Sequence, residues 1–295
     1  MSSEEAPKET TLAFISFGKI GSTILSALLN ATSPETVGRS DDRLAKIARF
    51  VVSVDTITSA EKLQAQHEAK QRQNVVISAS KPTARSGLYT QIEKAMDALE
   101  EKLVIDVMDG AIPRFISDPS PHRAREKQAT FVKARANHAV VVRKSMTITD
   151  DHLFTPEQYD MVTWIFEQVG KVSYMRDYFD DTDSAVRVSM AMLTLPLEGI
   201  LGACVARNLD RNEMMEMFAQ VLEGLGGLLR EGIHSGALRN SISDDSKPAA
   251  RGMLQLEKSD TRAVFAEAML TVGNALDEEQ LLESARDAIC NRTDD

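Results

Sequence analysis

Leu12-Ala13-Phe14-Ile15-Ser16-Phe17-Gly18-Lys19-Ile20-Gly21-Ser22-Thr23-Ile24-Leu25 runs from an apolar strand through a glycine turn straight into an apolar helix. A junction of this kind offers backbone N–H groups at a helix start to the pyrophosphate of a dinucleotide, and glycine keeps side chains out of its way. Gly18 and Gly21 fill the second and third positions of the G-x-G-x-x-G pattern. Ser16 stands at the first, where its Cβ narrows the tight turn without forbidding it. Ser16, Phe17, Gly18, Lys19, Ile20 and Gly21 are therefore the expected phosphate cradle, with Lys19 adding positive charge. The competing reading is an ordinary strand, turn and helix whose glycines serve only the turn.

With 295 residues, 43% of them hydrophobic, the chain exceeds the usual single domain and is expected to form two. A net charge of -10 argues against a broad surface for nucleic acid or anionic membrane, both of which need excess Lys and Arg. Its two cysteines, Cys204 and Cys290, fall in helical sequence, give no disulfide framework and fit a reducing compartment. His67, His122, His138, His152 and His234 are scattered without H-x-x-x-H or C-x-x-C spacing, so no metal site is expected. The polar, acidic start is unlike a signal peptide, and no apolar run is expected to reach membrane-spanning length. Residues 1–10 read as a disordered tail, and the protein as cytoplasmic and soluble.

From Thr11 to Val172, strand-type runs alternate with helix-type stretches, the pattern of a parallel sheet covered by helices. Strands are expected at Leu12 to Phe17, near Val37, Phe50 to Val54, Asn74 to Ala79, Leu103 to Met108, Ala139 to Arg143 and Lys171 to Tyr174. Helices are expected at Ser22 to Asn30, Asp41 to Arg49, Ala60 to Arg72, Leu88 to Glu100 and Pro156 to Val169. Past the acidic stretch Asp177, Asp180, Asp181 and Asp183 the strand signals vanish. Met190 to Val205, Asn212 to Glu231, Ser259 to Val272 and Glu278 to Ile289 carry apolar residues at helical spacing, on more than one face, as helices buried against a second subunit do. The fold class is thus an α/β Rossmann-type dinucleotide-binding domain over residues 11–175, followed by an all-α dimerisation and substrate domain over residues 176–295.

The order of motifs resembles pyrroline-5-carboxylate reductase. Phe14 through Leu25 is similar to that family's F-I-G-x-G-N-M-G-x-A-I-L, Ala79-Ser80-Lys81-Pro82-Thr83 to its A-V-K-P-Q turn, and Glu198 through Arg211 to its helix ending in G-L-P-R. Leu228-Leu229-Arg230-Glu231-Gly232-Ile233-His234-Ser235-Gly236-Ala237-Leu238-Arg239-Asn240 closely resembles its L-L-x-x-G-x-H-P-x-x-L-R-D run. The resemblance implies a nicotinamide cofactor that delivers hydride to a cyclic C=N bond, a dimer of interleaved helices, and an active site at the subunit interface. Its cofactor-binding positions fall on the Ser16–Gly21 turn, on Ala79, Ser80, Lys81 and Pro82, and on Asn137, the residue retained from the family's M-P-N-T-P loop in Arg135-Ala136-Asn137-His138-Ala139. NADPH is preferred to NADH, because Arg39, Ser40 and Arg43 offer guanidinium and hydroxyl donors to a ribose 2′-phosphate. Asp41 and Asp42 in the same loop favour a free hydroxyl instead.

The substrate side departs from the family. Its S-G-S-G-P-A segment falls on Val186-Arg187-Val188-Ser189-Met190-Ala191, and its S-P-G-G-T-T loop on Asp244-Asp245-Ser246-Lys247-Pro248-Ala249. Asp106 and Asp109 lie in the counterpart of its S-I-A-A-G strand end. Reducing an imine requires that the iminium be favoured and a proton be supplied, tasks for carboxylates and hydroxyls. Asp106, Asp109, Ser243, Asp244, Asp245, Ser246 and Lys247 are therefore the candidate catalytic set, with Asp-Asp-Ser-Lys-Pro also readable as plain turn sequence. The leading expectation is an NADPH-dependent reductase of a cyclic imine or enamine, acting on a small molecule as a homodimer or higher oligomer. The alternatives are a non-redox cyclase or isomerase of specialised metabolism on the same fold, and a catalytically silent paralogue.

Overall fold

A computed structural model describes residues 12–15, 19–31, 54–57, 75–79, 99, 101–108, 129–150 and 154–273. Strands β1 (Leu12–Ile15), β2 (Val54–Ile57), β3 (Val75–Ser78), β4 (Leu103–Asp106), β5 (Thr130–Ala136), β6 (Ser145–Asp150) and β7 (Gly170–Met175) form one seven-stranded sheet, in the order β2-β1-β3-β4-β5-β6-β7. Every residue of β3 and β4 is buried, as in a central strand covered on both faces. Helix α1 (Lys19–Ala31) follows β1 and buries Gly21, Ile24, Ala27 and Leu28, spaced three, three and one apart along a single stripe. Helix α2 (Pro156–Glu167) starts at a capping box in which the Gln158 N–H donates to Thr155 Oγ1 at 3.3 Å and the Thr155 N–H donates to Gln158 Oε1 at 3.0 Å. Its Val162, Trp164, Ile165 and Phe166 join Leu12, Ile77, Ile105 and Val132 in one core under the sheet.

Two expectations about the sheet are corrected. Its last part is not parallel throughout, since β5 and β6 pair antiparallel, with Ala134 opposite Thr149. The expected strand at Ala139 to Arg143 is a 3-10 turn, His138–Val142, while β5 and β6 on either side of it had no counterpart among the expected strands. The β-branched run Val140-Val141-Val142 yields because the Asn137 side chain caps the turn by accepting from the Ala139 N–H at 3.1 Å, and because Arg143 takes a left-handed conformation (φ 55°) that reverses the chain. Only Val140 of the three is buried. Of the strand expected at Phe50 to Val54 only Val54 is described, and the strand there continues to Ile57. Expected elements near Val37 and at Asp41 to Arg49, Ala60 to Arg72 and Glu278 to Ile289 lie outside the described residues.

The chain divides into two compact units, Met1–Asp183 and Ser184–Asp295. Helix α3 (Phe179–Ala206) begins in the first, and Asp180 and Asp181 form its negative first turn, which complements the positive helix start. The second unit continues with α4 (Arg211–Arg230), α5 (Ser235–Asp245), α6 (Lys247–Lys258) and a helix over residues 261–273. Asp210 caps α4 by accepting from the Asn212 and Glu213 N–H groups at 2.8 and 3.0 Å. The helix closes on Gly232 at φ 82°, with the Ile233 N–H donating to the Leu228 carbonyl and the Gly232 N–H to the Leu229 carbonyl. None of α4, α5 and α6 buries a residue.

Candidate active site

In open α/β sheets ligands bind beyond the carboxyl ends of the strands, here the ends of β1, β3, β4 and β5. Helix α1 opens just past β1, so Lys19, Ile20 and Gly21 lie at this edge. A Cβ on Gly21 would stand 2.6 Å from the Ala79 Cβ, closer than two carbons can approach. Only glycine therefore lets the first turn of α1 press on the end of β3, which is the packing task of the third fingerprint glycine. Two of the sequence-selected positions, Gly21 and Ala79, are brought together. Ser16, Phe17, Gly18, Arg39, Ser40, Arg43, Ser80, Lys81, Pro82 and Asp109 lie outside the described residues.

At the end of β4, Asp106 is 3% exposed. Its Oδ1 accepts from the Met108 N–H at 3.0 Å, its carbonyl accepts from Arg135 Nη1 at 2.9 Å, and its Oδ2 lies 3.9 Å from Arg135 Nη2. The Arg135 guanidinium is equally buried and stands 6.0 Å from the centre of the Phe179 ring, at the start of α3. Lys133, on the same face of β5, lies over that ring too and pairs with Asp180 at 3.6 Å. As an iminium stabiliser Asp106 thus begins neutralised by a buried cation. Arg135 was not among the selected residues, and its signal was the alternation in β5: Val132, Ala134 and Ala136 enter the core, which puts Lys133 and Arg135 on the opposite face. Asn137 follows directly, half-buried, with its amide oxygen engaged by the Ala139 N–H.

The stretch Asp244 to Ala249 is a junction between two helices. Asp244 and Asp245 end α5, Ser246 stands alone between the helices, and Lys247 and Pro248 open α6. Ser246 Oγ accepts from the Ala249 N–H at 3.4 Å, and a proline just inside the helix start is favourable because its missing N–H has no partner to lose. Ser243 and Ser246 are half-buried, and Asp244, Asp245 and Lys247 are exposed. The junction is held by Glu257 of α6, which pairs with Arg239 of α5 at 3.6 Å and with Arg262 of the following helix. Among the described residues no group of three or more His, Cys, Asp or Glu is arranged to hold a metal ion.

Residues 179–278 match the family model described as pyrroline-5-carboxylate reductase dimerisation, and residues 11–110 match that described as NADP oxidoreductase, coenzyme F420-dependent. The chain is 28% identical to a pyrroline-5-carboxylate reductase of Lophium arboricola, across 88% of this chain and 90% of that protein. It is 26% identical to that of Neurospora crassa, across 90% and 91%. Among solved structures it is similar in fold to the Coxiella burnetii pyrroline-5-carboxylate reductase (TM-score 0.67, 19% identity, 91% of this chain and 98% of that one). The Plasmodium falciparum pyrroline carboxylate reductase, solved with NADP bound, gives 0.63 at 16% identity over 88% and 96%.

One expectation is overturned in the helical unit. By length and composition the 28 residues of α3 could cross a membrane, with a mean hydropathy of 1.7 over the tested window, 6% of it buried. The same residues lie inside the match to the dimerisation family model. A nucleotide-binding match thus precedes a dimerisation match along the chain, and relatives named pyrroline-5-carboxylate reductase align with it over about nine tenths of their length, so the chain is similar to these NADP-dependent oxidoreductases through both halves.

Proposed function

We propose that this protein is an NADPH-dependent reductase of a cyclic imine that works as a homodimer. The observation that carries the reading is the close approach of Gly21 to Ala79, which packs the start of α1 on the sheet edge as a dinucleotide cradle requires. When bound, the reduced nicotinamide supplies hydride to the carbon of the C=N bond. The chain's residues do the rest. The α1 amides hold the pyrophosphate with Gly18 and Lys19, while Arg39, Ser40 and Arg43 hold the 2′-phosphate through charge-assisted donors. Ala79, Ser80, Lys81, Pro82 and Asn137 line the remainder of the groove. Because Asn137 has its oxygen engaged by Ala139, its NH₂ is the end it offers to a ligand.

On the substrate side, Asp109, Asp244 and Asp245 favour the cationic iminium over the neutral imine. Ser243 and Ser246 supply hydroxyls for proton delivery, and Lys247 beside the first-turn amides of α6 attracts an acidic group on the substrate. The dimer follows from the helical unit, in which Met217, Val221, Leu225 and Leu228 of α4 are each at least 40% exposed along one stripe. Calorimetric titration with NADPH and NADH, followed by turnover of 1-pyrroline-5-carboxylate and of other cyclic imines, tests the reading. NADPH-selective binding with oxidation of NADPH in the presence of an imine is expected. Failure of either nucleotide to bind the dimer overturns it. Arg39→Ala is expected to weaken NADPH about tenfold more than NADH, the loss of one charge-assisted contact, and equal losses would remove Arg39 from the 2′-phosphate site.

A further inference from the structure

We infer that Arg135 is a positioning residue that fixes the nicotinamide end of the cofactor groove by bracing together the ends of β4 and β5. The inference rests on the NADPH reading above and concerns a part of that site which no motif marks. In the sheet order, a pyrophosphate at the start of α1 leaves one arm of the dinucleotide toward β2 and the other toward β3, β4 and β5. The adenosine arm takes the side of β1 away from β3, so the nicotinamide arm lies toward β4 and β5.

The ladder between these two strands has its last rung at Asp106 and Lys133. Beyond it, the Arg135 side chain replaces the backbone. Nη1 donates to the Asp106 carbonyl and Nη2 faces the Asp106 carboxylate, whose other oxygen receives the Met108 N–H. One guanidinium therefore sets the chain leaving β4 through Met108 and, two residues before Asn137, the chain leaving β5. Phe179 covers the same guanidinium and ties the start of α3 to the brace. A planar, forked cation is suited to this because it meets a carbonyl, a carboxylate and a ring face at once, which an ammonium does not. Asp106 takes the complementary part: a carboxylate that serves both a cation and an amide holds backbone in place.

The test separates the nicotinamide end from the rest of the groove by comparing NADPH with 2′-phospho-ADP-ribose, which has no nicotinamide. Removing Arg135 alone takes a cation away from a buried carboxylate and endangers folding, so the variants are Arg135→Lys and the double change Asp106→Asn with Arg135→Met, which removes both charges while keeping an oxygen for the Met108 N–H. For both variants, 2′-phospho-ADP-ribose should bind within about twofold of the unaltered protein while NADPH weakens roughly three- to tenfold, the worth of lost positioning contacts. The fluorescence gain of bound NADPH should fall with it, and single-turnover hydride transfer should slow by about a hundredfold, as expected for a misplaced reacting group. Parallel weakening of both nucleotides, or no change in either, would overturn the role of Arg135 while leaving the NADPH reading intact. If the unaltered protein binds neither nucleotide, the NADPH reading falls and this inference with it.

Discussion

Gly21 shows how one missing Cβ decides a site. The helix start and the end of β3 are so close that Gly21→Ala drives a methyl to 2.6 Å from Ala79 Cβ. Neither atom sits on a flexible chain, so α1 must shift, at a cost of about 1–3 kcal/mol for overpacking. The expected outcome is a lower melting temperature together with weaker NADPH binding, and Ala79→Gly in the same chain should restore both. Tyr174 governs a second prediction at this scale. It stacks on Tyr159 at 4.3 Å, meets the edge of Phe154, and its hydroxyl lies 2.6 Å from Thr163 Oγ1. Burial pushes its pKa up to about 12 from the ordinary 10.0, against the pull of the Thr163 hydrogen bond, with Tyr159, Glu167 and Asp160 adding to the rise. The neutral phenol is thus favoured by folding: its contribution is whole below pH 10 and is lost as pH rises toward 12. Melting curves against pH should show that loss, and Tyr174→Phe should remove it.

At the scale of elements, caps decide where helices stop. Sequence periodicity located α1, α2 and α4 to within a few residues because their apolar residues repeat at three and four. The residues at the junction of α5 and α6, Asp-Asp-Ser-Lys-Pro, are turn formers in isolation, whereas Ser246 serves as the N-cap that lets α6 begin with a single residue between it and α5. Ser246→Ala should cost about 1 kcal/mol, the usual worth of an N-cap. Gly232→Ala places a side chain at φ 82° beyond α4 and should cost about 1 kcal/mol as well. Chemical denaturation of the dimer measures both, and a loss below about 0.3 kcal/mol at either position would show that its cap is dispensable.

For the whole molecule the decisive fact is the contrast between the two units. The sheet unit has a continuous core from Leu12 to Val169, while α4, α5 and α6 bury nothing within one chain. Helices that bury nothing within one chain gain stability from association, so melting should rise with protein concentration. Val221→Asp together with Leu225→Asp, at positions 61% and 40% exposed in one subunit, should give a monomer by light scattering and a marked fall in melting temperature. A dimer that survives both changes would exclude this face of α4 from the interface.

The sequence by itself determined the order of the two halves, the strand-turn-helix opening and the glycine that the opening needs. These are local: a strand, a turn and a helix start declare themselves through spacing and through residues with special backbone freedom. Only the tertiary structure decided that β5 and β6 are antiparallel, that the valine run at Val140 forms a 3-10 turn, and that Asp106 is engaged by Arg135. Each of those depends on which segments far apart in the chain lie side by side: the alternation in β5 gives the face on which Arg135 stands, but not that Asp106 of another strand meets it there.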